Sequence, residues 1–253
     1  MRLLIVSLFF IGFSSCKPEE PAKARRISEV KIETLLQDSL LNVRALEMIL
    51  QRESFFATSD GRMGYIGYKP DTNKPMVKIR PIHRADSVNY NFRSVAVNSL
   101  ATFALSIESP AFLFKNQKIV YQENHPKAFY DSMAFWNDEE GIAIGDPTED
   151  CMSIIITRDR GETWTKLSCD DIPKAREGEA AFAASDTNIA IVGDHTWVAT
   201  GGMASRVLYS SDKGETWSVF ETPIVQGKAT TGMYSIDFYD EKNGFDYSYI
   251  NLE

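Results

Sequence analysis

Five residues recur at one register of a repeated strand pattern: Arg44 in VRAL, Arg93 in FRSV, Asp131 in YDSM, Glu179 in GEAA and Tyr234 in MYSI. Each opens a short apolar strand, so a fold that gathers those strand starts directs two guanidiniums, two carboxylates and a phenol toward a common axis. Arginines grip a planar anion through a fork of donors. A carboxylate beside a tyrosine activates the phenol as a nucleophile, and a second carboxylic acid protonates a leaving oxygen. The set therefore has the chemistry of a ligand ring. With Glu179, Tyr234 and Asp131 as reacting groups, it also has that of a glycoside hydrolase. Charged residues at strand ends also pair with water or with one another, and this bland reading stays open.

The strands that must carry these residues are marked by a repeat. TRDRGETW at 157–164 and SSDKGETW at 210–217 share the pattern Ser/Thr-x-Asp-x-Gly-x-Thr-Trp, and each follows an apolar run. A repeat of this period signals a modular all-β array whose units cannot bury their apolar faces alone. The chemistry within the signature is that of a hairpin turn. Asp159 and Asp212 fold onto backbone N–H groups ahead of them, and Gly161 and Gly214 supply the positive φ. Thr157 and Ser210 end one strand, and Trp164 and Trp217 anchor the next. Degenerate copies lie at 92–106, 130–146, 178–202 and 233–245, with Gly193-Asp194 as a turn. In the earliest copy, 42–71, the signature has decayed; in the second it is deleted, since LFKNQKIVYQE runs from strand to strand.

The remaining chemistry is sparse. Cys151 and Cys169 lie symmetrically about the first signature turn, which sets them nearly opposite each other and predicts a disulfide. The isolated histidines His83, His125 and His195 lack metal-ligand spacing. The acidic stretches 137–140, 146–150 and 169–171 differ from a calcium loop, so no metal is expected. No Gly-rich dinucleotide loop or flavin motif is present, and no cofactor is expected. A net charge of −8 argues against a nucleic-acid partner. At the N-terminus, Arg2, the apolar run 3–13 and FSSC at 13–16 read as a signal peptide. The sequence thus divides into a signal over 1–16, a tether over 17–39 and the strand array over 40–253. At roughly 45–50 residues per four-stranded unit, that array holds four to five units.

These pieces resemble known families. The eight-residue signature resembles the Asp-box, or bacterial neuraminidase repeat, of β-propellers, where it is structural. FSSC resembles a lipobox, which makes Cys16 the lipidation site. GDPTED, EGEAAFAAS and TPIVQGKATTGMYSIDFY look like Bacteroidota propeller lipoproteins related to the photosystem II stability/assembly factor. The resemblance implies an all-β propeller of four-stranded antiparallel blades. It also implies a chain anchored by lipid in the outer membrane of a bacterial envelope, serving as a binding or assembly module for an envelope protein or glycan, with a sialidase-like glycoside hydrolase as the alternative. It implies more blades than this sequence provides, so the last blade is expected to be truncated. Sialidases share the inventory of arginines, tyrosine and acids, but this sequence offers two ring arginines instead of three.

Overall fold

The computed structural model describes residues 27–83, 89–182 and 186–248. The apolar N-terminal run, Cys16 and the first part of the tether lie outside the described residues. Residues 27–34 carry no helix or strand and belong to a unit separate from the one that holds the strands.

The strands form a succession of antiparallel meanders. The first sheet holds β1 (Val43–Leu50), β2 (Glu53–Thr58), β3 (Arg62–Tyr68) and β4 (Pro75–Pro81) in that order. The second holds β5 (Phe92–Val97), β6 (Thr102–Ser106), β7 (Ala111–Lys115) and β8 (Lys118–Glu123). The third holds β9 (Tyr130–Phe135), β10 (Gly141–Gly145), β11 (Ser153–Thr157) and β12 (Thr165–Lys166). A two-stranded piece, β13 (Glu179–Ala180) with β16 (Gly201–Gly202), adjoins the fourth sheet. That sheet is made of β14 (Ile189–Val192), β15 (His195–Ala199), β17 (Arg206–Ser210) and β18 (Ser218–Glu221). The hairpin β19 (Met233–Phe238) and β20 (Gly244–Ser248) follows. Among the described residues there is no helix. The first strands of successive sheets, β1, β5, β9, β14 and β19, are neighbours of one another and are the innermost.

Side chains alternate across each strand, so the two faces of a sheet feed two different cores. Phe103 and Leu105 of β6 pack with Met133, Ala143 and Ile155 of the third sheet. Ala104, between them, faces the first sheet's Phe55, Ala57 and Met63. Ile142, Ile144, Ile154 and Ile156 pack with Val198 and Leu208 of the fourth sheet. Ala190, Trp197 and Ala199 pack with Met233 and Ile236. The central strands are consequently apolar on both faces; all of SIIIT in β11 is buried. Truncating fully buried Ile155 to Ala costs about 2–5 kcal/mol by the usual cavity and transfer terms.

Both signature turns join the third strand of a sheet to the fourth and share one hydrogen-bond set. Thr157 Oγ1 accepts the Gly161 N–H at 2.9 Å and donates to Asp159 Oδ1 at 2.9 Å. Asp159 accepts the Thr163 N–H at 2.9 Å and its hydroxyl at 2.6 Å. In the second turn Ser210 and Asp212 take the same roles toward Gly214 and Thr216. Gly161 and Gly214 sit at φ 78° and 80°. Each turn also rests on the preceding sheet: a Cβ on Gly161 would stand 2.4 Å from the Phe103 ring. Trp164 meets Phe103 and Phe135 edge-on, and Trp217 joins the core around Ile156. The turn Thr58-x-Asp60-Gly61 is a look-alike one hairpin earlier, between β2 and β3; Thr58 Oγ1 donates to Asp60 at 2.5 Å. Asn116 and Gln117, both at positive φ, close β7–β8 where the signature is deleted. Cys151 and Cys169 are disulfide-bonded with Cα atoms 5.4 Å apart, closing a loop worth on the order of 3 kcal/mol in chain entropy.

Partial burial pushes the Asp159 carboxyl up, but hydrogen bonds from Thr163, Thr157 and the Glu162 amide outweigh it and hold the pKa below the usual range. A depressed folded pKa stabilises above the unfolded value of about 3.9 and loses that contribution as pH falls through the folded value. Asp159→Ala should therefore cost about 1–3 kcal/mol at pH 7, as a set of charge-assisted hydrogen bonds does. Urea melts should show that difference shrinking once the pH drops below about 4.

Candidate functional site: the axial face of the innermost strands

Four innermost strands carry the same irregularity at their first turn of the pleat. In β1, Val43 pairs with Thr58 and Ala45 with Ala57, leaving Arg44 without an opposite residue. Arg93 is left over in β5, Asp131 in β9 and Tyr234 in β19. Such bulges bend the strand and re-aim the extra side chain. Sequence register thus placed these four residues at equivalent points, and the backbone gives the physical reason they differ from their neighbours. Among the described residues the Arg44 side chain makes no hydrogen bond, and its Nε is buried without a partner. Among the described residues the Arg93 Nε–H donates to Asn91 Oδ1, at 3.3 Å. Burial, then the charge of nearby Arg44, push the Arg93 pKa down, against the opposing charge of Glu108. Asp131 is fully buried, and the Tyr234 hydroxyl donates to the Thr230 carbonyl at 2.9 Å.

Glu179 does not join them. The ladder pairs Ala180 with Gly201 and resumes only at Ile189 with Val198, so the inner strand carries six extra residues there. The sequence register that grouped Glu179 with the other four missed this excursion. Glu179 is instead committed to Arg206, whose Nε and Nη2 donate to its two oxygens at 3.0 and 2.5 Å. The Thr200 hydroxyl and the Arg176 N–H complete its shell. Both ionic side chains are nearly inaccessible, at 0% and 6% exposure, so this buried pair is a structural tie.

The excursion itself reaches several blades. The Phe182 ring stacks on Tyr234 with centroids 4.1 Å apart. The Thr187 hydroxyl donates to Ser235 Oγ at 2.8 Å, and its carbonyl accepts the Ile236 N–H. Asp186, at φ 54°, accepts the Val95 N–H of β5 at 3.3 Å. The Ala181 N–H donates to Asp146 Oδ1 at 2.9 Å. Asp146 lines a cavity of about 590 Å³ with Lys127, Glu149, Arg176 and Glu177. Sequence reading missed Asp146 as a perturbed acid, because what perturbs it is burial beneath a segment 35 residues away. It also missed Ser94, Ser132 and Ser235, each directly after a bulge residue. The recurring Arg93-Ser94, Asp131-Ser132 and Tyr234-Ser235 pairs carried that signal.

The other polar clusters are tied down. Glu140 pairs with Arg158 and Lys213, Glu139 with Arg160, and Asp150 with Lys174. His195 Nδ1 contacts the Tyr209 hydroxyl at 2.5 Å, and His125 Nδ1 accepts the Lys127 N–H. Among the described residues no three His, Cys, Asp or Glu side chains gather as a ligand set.

No family model matches the chain, and no curated protein matches its sequence. Solved structures do match its fold. U3-55K superposes over 83% of this chain and 59% of its own, with TM-score 0.54 and 14% identity. The WD40 repeats of RRP9 superpose over 83% and 58%, with TM-score 0.54 and 13% identity. The fold is a β-propeller. The extracellular domain of the hybrid two-component system BT3049 from B. thetaiotaomicron also aligns, over 86% of this chain and 28% of that one (TM-score 0.51, 11% identity). The chain thus spans under three fifths of the length of the first two propellers. At these identities the likeness is one of architecture, with each four-stranded sheet a blade.

Burial raises the Asp146 carboxyl to about 6, partly offset by the Ala181 N–H. A carboxyl raised in the folded state costs stability when ionised: nothing below pH about 4, increasing to a full cost above about 6. Asp146→Asn keeps an acceptor for Ala181 and removes the charge. Its Tm should match the parent at pH 4 and exceed it at pH 7.5 in differential scanning calorimetry.

Proposed function

We propose that this propeller is a non-enzymatic binding and assembly module, tethered by a lipid on Cys16 in a bacterial outer membrane. It takes a protein or glycan partner at the axial face. The observation that carries this reading is the bulge ring: Arg44 and Arg93 are half-buried neighbours with no carboxylate paired to either guanidinium among the described residues. Side by side, two such cations are unfavourable until an anion joins them. Rigid blades that carry variable loops suit this use, although fold alone does not set function. The two signature turns fit the Asp-box of neuraminidase-repeat and photosystem II assembly factor-like propellers, and their aspartates serve the turns. Glycoside hydrolysis, the rival, needs an uncommitted acid beside the phenol. Glu179 is saturated by Arg206, Thr200 and Arg176, and Tyr234 donates to a backbone carbonyl, which disfavours that chemistry.

Arrays of acidic peptides and of acidic and neutral glycans test the reading. Arg44→Ala and Arg93→Ala should each weaken the captured ligand about tenfold or more, the loss of one desolvated charge-assisted contact. Turnover of fluorogenic sialosides that Tyr234→Phe abolishes would make the protein a hydrolase instead. Cys16→Ser should lose acyl labelling and leave the membrane fraction; retention in that fraction would count against the lipid anchor.

A further inference from the structure

The hairpin β19–β20 repeats the start of the third sheet. FYDEKNG at 238–244 matches FWNDEEG at 135–141. The Tyr239 N–H donates to the Asn243 carbonyl at 2.8 Å, as the Trp136 N–H does to the Glu140 carbonyl at 2.9 Å. Phe238 pairs with Gly244 as Phe135 pairs with Gly141. The hairpin is also seated like a blade: Met233 and Ile236 are buried against the fourth sheet, and the Phe238 ring stacks on Trp197 with centroids 3.9 Å apart. The two second strands nevertheless meet opposite surroundings. Every residue of β10 is buried between β9 and β11, whereas every residue of β20 is exposed. Among the described residues β20 pairs with β19 alone, which leaves one edge of N–H and C=O groups unpaired. Beside that edge the seam with the fourth sheet continues as a cavity of about 160 Å³, lined by Val207, Thr222, Ile224 and Met233 and walled by residues 244–246 of β20.

We propose that the free edge of β20 accepts an extended strand from a partner protein, which adds as the third strand of this blade by β-augmentation. The chain itself shows the fit. In the other four sheets that place is filled by β3, β7, β11 and β17, and each lays side chains into the seam with a neighbouring sheet. With Gly244 in the register of Gly141, Asp246 stands where Ala143 does, and Ala143 is paired with Ile155 of the third strand. Asp246 pairs with buried Ile236, so it and the incoming residue opposite it face the seam. The incoming residues on either side lie next to Phe245 and Tyr247, which are 72% and 63% exposed. The strand that fits is apolar or aromatic at those two positions and carries Lys or Arg between them, opposite Asp246. The hairpin as a whole holds Asp237, Asp240, Glu241 and Asp246 against the cation Lys242, which favours a basic strand. A second copy presenting its own β20 would set this acidic edge against itself. Backbone pairing supplies the affinity and the central cation fixes the register. This inference is independent of what the axial face binds.

The probe is a labelled peptide copying residues 152–166, which hold β11 and its signature turn, in the parent form and with Ile155→Lys. Fluorescence anisotropy should show both binding saturably to the 253-residue protein. The lysine form should bind more tightly by up to about fivefold, the worth of one opposite-charge cross-strand pair. Asp246→Asn, at an exposed position, should erase that preference. Hydrogen exchange read by mass spectrometry should find the 244–248 amides fast in the free protein and slowed by the peptide. N-methylation of alternate peptide residues should abolish binding in one frame and spare it in the other, because alternate N–H groups face the edge. Binding that both N-methylated peptides retain would overturn the proposal, as would no saturable binding by either parent or lysine peptide up to about 1 mM. So would exchange that changes in β10 instead of β20, which is strand replacement in the third sheet. Amides of 244–248 already slow in the free protein would mean that its own residues or a second copy cover the edge, and would refute a partner strand. Equal affinity for the two peptides would refute the cation opposite Asp246.

Discussion

Each blade has two apolar faces, and neither can meet water. This requirement organises the molecule. Four successive cores lie between sheets, with alternate residues of one strand serving different cores, as Phe103 and Ala104 do. Packing sheet against sheet in this manner brings the first strand of each meander inward. The edges of those strands have no further strand to pair with inside their own sheet. Polar groups at the axis are therefore the ones the fold cannot satisfy through its ladders, and this is where the bulges, serines and buried carboxylates collect.

The signature turns answer the same requirement at the other end of the strands. Gly141 pairs with both Phe135 and Thr157, whereas Gly145 pairs with Tyr130, so the turn after Thr157 lies opposite the strand starts that carry the ring. The turn's job is to set the next blade: its glycine has no room for a side chain against the previous sheet, and its tryptophan fills the seam. Arg158 adds a tie between the two copies, donating to the Lys213 carbonyl at 2.7 Å and to Glu215 at 3.0 Å. Carboxylates in these turns spend their lone pairs on local amides and hydroxyls. They hold the scaffold and leave chemistry to the axis.

What could be read in the sequence is what local bonds decide. An eight-residue turn stabilised by its own side chains repeats as text, and so do the strand pairs and the symmetric cysteines. The equivalent backbone positions of Arg44, Arg93, Asp131 and Tyr234 are also legible, because each lies at the start of a strand that repeats. Glu179 was misplaced because six extra residues within 181–188 shift the ladder, and only pairing with β15 and β16 reveals the shift. Asp146 and Asp186 owe their character to segments 35 and 91 residues away, and no spacing rule encodes that. The serines after the bulges were readable in principle. They were overlooked because small hydroxyl residues in strands look like filler.

The central claim is that, among the described residues, Arg44 and Arg93 stand unpaired with any carboxylate at the axis, whereas Arg206 and Arg158 are consumed by structure. Time-resolved modification with phenylglyoxal, read residue by residue by mass spectrometry, tests it without knowledge of the ligand. The reagent attacks the unprotonated guanidine, so Arg93, its pKa lowered by burial and by Arg44, should react early. Arg206, locked to Glu179 in the interior, should react last. If Arg44 and Arg93 prove as slow as Arg206, the axial ring is already occupied by the protein's own groups and the binding account fails.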